Sequence, residues 1–162
     1  MRHIISIVLQ NEAGALTRVS NLFSSRGYNI ESLNVAPTDD PEVSRLTLVT
    51  RGSEEVIDQI TKQLGKLIDV VDISDMTAED HIERELVLCK LRSDSPDVFS
   101  SLTSLGVRVL DDREGHYTVE FVGGGSDIDR LLDRLSAIGS LLSVVRSGAM
   151  AIARGTPIFE RA

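Results

Sequence analysis

The apolar residues of the first 75 positions switch between two spacings, and the order of the switches leaves few folds open. Residues 3–9 form a continuous β-branched and apolar run (Ile4, Ile5, Ile7, Val8), the pattern of a buried strand. From 14 to 26 the period becomes helical. Leu16, Val19, Leu22 and Phe23 share one face, and Gly27 supplies a good C-terminal stop. Alternation returns over 28–35 and again over 43–50, on either side of the turn-forming Pro37-Thr38-Asp39-Asp40-Pro41. Ser53-Glu54-Glu55 opens a second helix, with a capping residue and acids at the positive end of the helix dipole. Its apolar stripe is Val56, Ile57, Ile60, Leu64 and Leu67, and 68–73 reads as a fourth strand. Strand, helix, strand, strand, helix, strand is the ferredoxin-like double split unit. It implies an antiparallel four-stranded sheet with both helices on one face. The other face, or an edge, then needs cover.

Thr77-Ala78-Glu79-Asp80 is a short polar boundary, after which the order repeats. A strand over 82–91 precedes a helix over 95–105, opened by Ser95-Pro96-Asp97 and closed by Gly106. Strands over 107–110 and 117–122 flank the turn Asp111-Asp112-Arg113-Glu114-Gly115. Gly123-Gly124-Gly125-Ser126 leads into a helix bearing Ile128, Leu131, Leu132, Leu135 and Ile138, followed by a strand over 141–145. Residues 149–153 look like one more strand in a tail that is expected to fray. The halves share element order, not sequence. The expected architecture is α+β, two tandem ferredoxin-like βαββαβ domains over 1–76 and 77–162.

Composition removes several functions. The net charge is −8, spread evenly: residues 1–75 carry 7 Lys/Arg against 11 Asp/Glu, and residues 76–162 carry 10 against 14. Nucleic-acid binding needs clustered Lys or Arg, and an anionic membrane surface needs the same. Base stacking also needs exposed aromatics, and aromatic residues of all kinds make up only 4% of the chain. Cys89 is the single cysteine, so no internal disulfide can form, as suits a reducing compartment. It lies in an alternating run and reads as a small buried residue. No apolar run approaches the roughly 20 residues that span a bilayer, and no leader-like stretch opens the N-terminus, so the expected location is the cytoplasm. His3, His81, His116 and Cys89 are scattered without a nucleophile–base or metal-ligand spacing, so no catalytic or metal site is expected. Gly123-Gly124-Gly125 lacks the Lys-Ser/Thr that follows a phosphate loop and reads as a turn.

The informative segment is the first strand-to-helix turn, Gln10-Asn11-Glu12-Ala13-Gly14-Ala15-Leu16. A helix start presents unpaired N–H groups and a positive dipole end, and so suits a carboxylate. Gly14 allows close approach to the backbone. On spacing alone the plainer reading comes first: Asn11 caps the helix and Gly14 eases the turn.

The run Asn11-Glu12-Ala13-Gly14-Ala15-Leu16-Thr17-Arg18-Val19, then Arg26-Gly27-Tyr28-Asn29-Ile30-Glu31-Ser32-Leu33, then Val35-Ala36-Pro37-Thr38 and Ser44-Arg45-Leu46-Thr47, closely resembles the small subunit of acetolactate synthase. Arg84-Glu85-Leu86 and Arg146-Ser147-Gly148 fit the same family, so the resemblance spans nearly the whole chain. One departure is from the wider ACT superfamily, where Pro often precedes the turn glycine; here Ala13 does.

The resemblance implies that residues 1–76 are an ACT domain and 77–162 a C-terminal regulatory domain. It implies a chain with no catalytic site or cofactor of its own. The partner would be a large catalytic subunit carrying thiamine diphosphate, Mg²⁺ and FAD, which this chain activates and renders sensitive to valine. ACT domains pair side by side, with the effector at the interface. Its carboxylate would meet N–H groups near Gly14, Ala15 and Leu16, and Asn11 would bond its polar end. Asn29 and Ile30 would approach from the second copy.

Overall fold

The computed structural model describes residues 1–159. The chain divides into two compact units, Met1–Ile82 together with the chain from Ala149 onward, and Glu83–Gly148.

The first unit runs β1 (Arg2–Gln10), α1 (Ala15–Ser25), β2 (Ile30–Pro37), β3 (Val43–Arg51), α2 (Glu54–Leu64), β4 (Val70–Asp75). Its sheet is antiparallel throughout, in the order β2-β3-β1-β4. Alternate residues of each strand face opposite sides, and here the two sides have different cover. Ile5, Ile7 and Leu9 of β1 with Leu46 and Leu48 of β3 pack against Val19 and Phe23 of α1 and Ile57, Ile60 and Leu64 of α2. Burying each such side chain stabilises the fold by about 1.5–3 kcal/mol.

On the opposite side Ile4 and Val49 are buried by Met76, Ala149 and Ala151. The last two flank Met150 in the short strand β9 (Met150–Ala153). Ala149 and Ala151 turn inward while Met150 and Ile152 are exposed, a two-residue alternation that puts small side chains where the tail must lie close to the sheet. Two polar groups of the sheet are satisfied by tail carbonyls. Asn34 Nδ2 donates to Ala149 O at 3.1 Å and Arg45 Nη2 to Ala151 O at 3.4 Å. The Arg45 guanidinium also stands 5.0 Å from the centre of the Phe159 ring, a cation–π distance, and burial holds its pKa below the usual arginine value.

The division at 76/77 expected from sequence therefore differs from the compact units in two respects: the break falls after Ile82, and the tail belongs with the first unit. The sheet face that needed cover receives it from 149–159. Nor does the tail fray over the described residues, since Phe159 is buried; the remainder of that expectation, 160–162, lies outside the described residues.

The second unit repeats the plan with β5 (His81–Arg92), α3 (Val98–Ser104), β6 (Arg108–Arg113), β7 (His116–Gly123), α4 (Gly125–Ile138) and β8 (Ser140–Arg146), in the order β6-β7-β5-β8. Val87, Cys89 and Leu91 of β5 and Val119 of β7 pack under Leu102 of α3 and Ile128, Leu131 and Leu135 of α4. Arg146, the last residue of β8, donates through Nε and Nη2 to the two oxygens of buried Glu85 on β5 at 2.8 and 3.1 Å, and through Nη1 to Asp129 at 2.8 Å. Those bonds hold the Arg146 pKa above its usual value.

Three boundaries move for identifiable reasons. Strand β2 starts at Ile30 and not at 28, because Tyr28 N–H closes α1 by bonding Phe23 O at 3.0 Å while Gly27 adopts φ +73° and bonds Ser24 O at 3.0 Å. That is a Schellman stop. Strand β4 starts at Val70, because Val70 N–H bonds Leu67 O in a turn that leaves Ile68 88% exposed. Helix α3 starts at Val98, after a turn in which Val98 N–H reaches Ser95 O at 3.3 Å.

Candidate functional site

The turn from β1 to α1 is held from three directions. Gln10 N–H donates to Asp69 O and Asn11 N–H to Glu42 O, each at 2.8 Å. The Asn11 side chain donates to Pro41 O at 2.9 Å, which ties it to the loop before β3. It does not cap α1: the capping position is Gly14, with φ +87° in the left-handed region that disfavours any Cβ. The capping reading of Asn11 is thus replaced, and its side chain stays exposed on the rim of the turn. Ala15 is buried, and its N–H reaches Glu12 O at 3.3 Å, while Leu16 is exposed. Asn11, Gly14, Ala15 and Leu16 are therefore gathered around one helix start. The other expected cap, Ser53, does sit at the capping position of α2, but its hydroxyl makes no capping bond.

Two residues that sequence reasoning passed over hold this turn. Asp69 is only 3% exposed. Arg18, one helical turn after Gly14, donates through Nε to Asp69 Oδ2 and through Nη2 to Asp69 Oδ1 at 3.1 Å, a bidentate pair. Arg18 hydrogen bonding holds the Asp69 carboxyl below the usual carboxylate range, and the same bonds raise the Arg18 pKa. Arg18 was visible in the sequence as the residue four places after Gly14. Its partner, 51 residues on, carried no local signal.

Asn29 and Ile30 lie elsewhere. Ile30 pairs with Thr50, which also pairs with His3 at the start of β1; Pro37 pairs with Ser44, which also pairs with Leu9 near the end of β1. Asn29 and Ile30 are thus at the opposite end of the sheet from the Gly14 turn, separated from it by most of the length of β2, roughly 20 Å at about 3.3 Å per residue. Within one chain the six expected site residues do not meet. Strand β2 is, however, an edge, with Asn29 and Val35 exposed.

Two of the groups weighed for catalysis, Cys89 and His3, are buried in the fold. Cys89 is buried under the helices of the second unit, and burial pushes its thiol pKa up, away from a reactive thiolate. His3 is buried, with Nδ1 2.9 Å from Asp75. Burial would raise the Asp75 pKa, but hydrogen bonds from Thr77 and His3 outweigh it and hold the carboxyl low. No helix of the described residues is long and apolar enough to cross a membrane.

Comparison with known proteins places both units in related chains. Residues 5–72 match the family model described as the AHAS small subunit-like ACT domain, and residues 84–155 match that of the small subunit of acetolactate synthase. The acetolactate synthase isozyme 3 small subunit of Escherichia coli is 42% identical over 163 residues, covering 99% of this chain and 100% of its own. The acetolactate synthase small subunit of Haemophilus influenzae is 42% identical over 158 residues, covering 96% of this chain and 97% of its own. The crystal structure of the acetolactate synthase small subunit from Thermotoga maritima superposes with a TM-score of 0.85 at 29% identity, covering 96% of this chain and 99% of that one.

Proposed function

Because this chain belongs to the family of acetolactate synthase small subunits, we propose that it binds a separate large catalytic subunit, raises its activity, and makes it subject to inhibition by valine. Thiamine diphosphate, Mg²⁺ and FAD are in this reading the equipment of the large subunit, and the acetolactate-forming chemistry stays there.

The observation that carries the effector part is the register of β2. An edge strand offers unpaired N–H and C=O groups to another strand. If two copies join through β2 in antiparallel fashion about a two-fold axis, the start of one β2 comes level with the end of the other. Asn29 and Ile30 of the second copy then stand at the end of the sheet where this chain carries Asn11 and Gly14. The two groups of expected site residues, distant in one chain, become neighbours by symmetry. Helix-start N–H groups at Gly14–Leu16 suit the effector's carboxylate. Asn11 and Asn29 have both donors and acceptors for its polar end, and Ile30 offers aliphatic surface to its side chain. One methylene changes binding by only about 1–3 kcal/mol in such a pocket, so leucine and isoleucine bind there as weaker effectors.

The test mixes the purified chain with its large subunit and follows acetolactate formation with and without valine. A rise in rate that valine then reverses is the expected result. A rise that valine, leucine and isoleucine all leave untouched overturns the effector site. No change in rate overturns the subunit role and leaves a stand-alone amino-acid sensor.

A further inference from the structure

Arg18 is engaged on one side and open on the other. Nε and Nη2 hold the two carboxylate oxygens of Asp69, and Nη2 also reaches the carbonyl of Ala13 at 3.5 Å. Nη1 lies 2.8 Å from the point where a Cβ on Gly14 would stand. The space left by the missing side chain at 14 is therefore filled by the Arg18 guanidinium. The φ of +87° is what requires glycine at position 14, and a Cβ there would in addition push the Arg18 guanidinium from where it closes over the turn. Asp69 completes the arrangement: its backbone carbonyl accepts the N–H of Gln10 at 2.8 Å. One buried residue thus binds the last residue of β1 through its main chain and the first turn of α1 through its side chain.

We infer that Arg18 and Asp69 are positioning residues for the amino-acid effector, a clamp that sets the spacing of the Gly14–Leu16 N–H groups before the ligand arrives. This rests on the effector reading above. Arg18 does not leave Asp69 to take the effector's carboxylate, because a carboxylate this buried would lose its partner, and stranding a buried charge costs more than one solvent-facing ion pair returns. It acts through the turn. A preformed set of donors binds more tightly than one that must be ordered on binding, and the clamp orders this set.

The test titrates valine into the full-length chain by calorimetry, for wild type, Arg18→Lys, Gly14→Ala and the double variant. Lysine keeps the charge but cannot make two parallel bonds to a carboxylate. Arg18→Lys should weaken valine binding about tenfold, the scale of losing a supporting partner behind a ligand-binding group. Amide exchange at 14–16 should accelerate while the melting transition stays well above the titration temperature. Gly14→Ala should weaken binding as well, and the double variant should lose much less than the two single losses combined, since the alanine methyl already displaces the guanidinium. Should Arg18→Lys not fold, Asp69→Asn serves in the same cycle. Unchanged affinity in Arg18→Lys, or losses that simply add, overturns the clamp while leaving the effector site standing. Wild type that binds none of valine, leucine and isoleucine overturns the effector reading and the clamp's role with it.

Discussion

Asn34 on β2 donates its side-chain amide to the main-chain carbonyl of Ala149, 115 residues further on, at 3.1 Å. Residue Asn34 lies on the strand whose edge is read as the meeting line of two copies, so the tail is tied to that strand across the sheet face opposite the helices.

The inward side of the tail is therefore sensitive to charge. Ala151→Asp would press a carboxylate against Ile4, Val49 and Met76. Even a neutral unpaired polar group in such a place costs about 1–3 kcal/mol on mutational scales, and a carboxylate costs more. Hydrogen exchange should show faster exchange over 149–159 and in β3. Ile152→Asp, on the exposed side, should leave exchange unchanged.

Gly14→Asp should abolish the response to valine. The new side chain is strained at φ +87°, lies against Arg18 Nη1, and sets a second carboxylate beside Asp69 for the same guanidinium. Valine affinity should fall by roughly two orders of magnitude or more, as two defects of about 1–2 kcal/mol each combine. Calorimetry checks this, and valine binding of wild-type strength would move the site away from this turn.

The β2 edge makes a separate prediction about assembly. Val35→Lys places a charge on an exposed edge position. In an antiparallel β2–β2 pair each lysine would have to be desolvated against the second copy, the device by which edge strands resist pairing, and the dimer should weaken by about tenfold or more. Sedimentation velocity reads the dimer constant directly. Valine binding should weaken in parallel, because half of the site comes from the second copy; a monomeric variant with intact valine binding would contradict that arrangement.

Acid should destabilise the first unit through two carboxylates. Asp69 is held low by Arg18; Asp75 is held low, against the opposing effect of burial, by bonds from Thr77 and His3. A depressed folded-state pKa means that the unfolded chain binds more protons. The stabilisation is thus fully present above the unfolded value of about 3.9 and is lost as pH falls through the lower folded values. Thermal melts from pH 7 to 2 should show this loss, and Asp69→Asn should be less stable at pH 7 but lose less on acidification.

In the second unit, Arg146→Met should strand Glu85. Glu85 is buried, and Arg146 supplies both of its oxygens with donors. Removing one member of a buried pair costs about 3–5 kcal/mol; Arg146 is about a third exposed, and solvent screening reduces the expectation to about 1–3 kcal/mol. Denaturant unfolding of wild type, Arg146→Met and Arg146→Met/Glu85→Gln separates the terms, with the double variant recovering part of the loss.

Residue spacing alone determined the elements, their order and the helix-covered cores. Period is a local property: Val19 and Phe23 declare a helical face, and Leu46 and Leu48 an alternating strand, without reference to any distant residue. The turn around Gly14 was equally legible, because a glycine at a strand-to-helix junction states its own backbone need. Tertiary structure alone decided what these pieces meet. That Arg18 closes over Gly14 depends on Asp69, brought to it from 51 residues away by the return of β4 alongside β1. That Asn29 and Gly14 stand at opposite ends of one sheet follows from strand register, which no single strand encodes. That the tail covers the first sheet follows from an apolar face formed jointly by β1 and β3. In each case the deciding contact pairs residues far apart in the chain, and local pattern carries no record of a partner it does not touch.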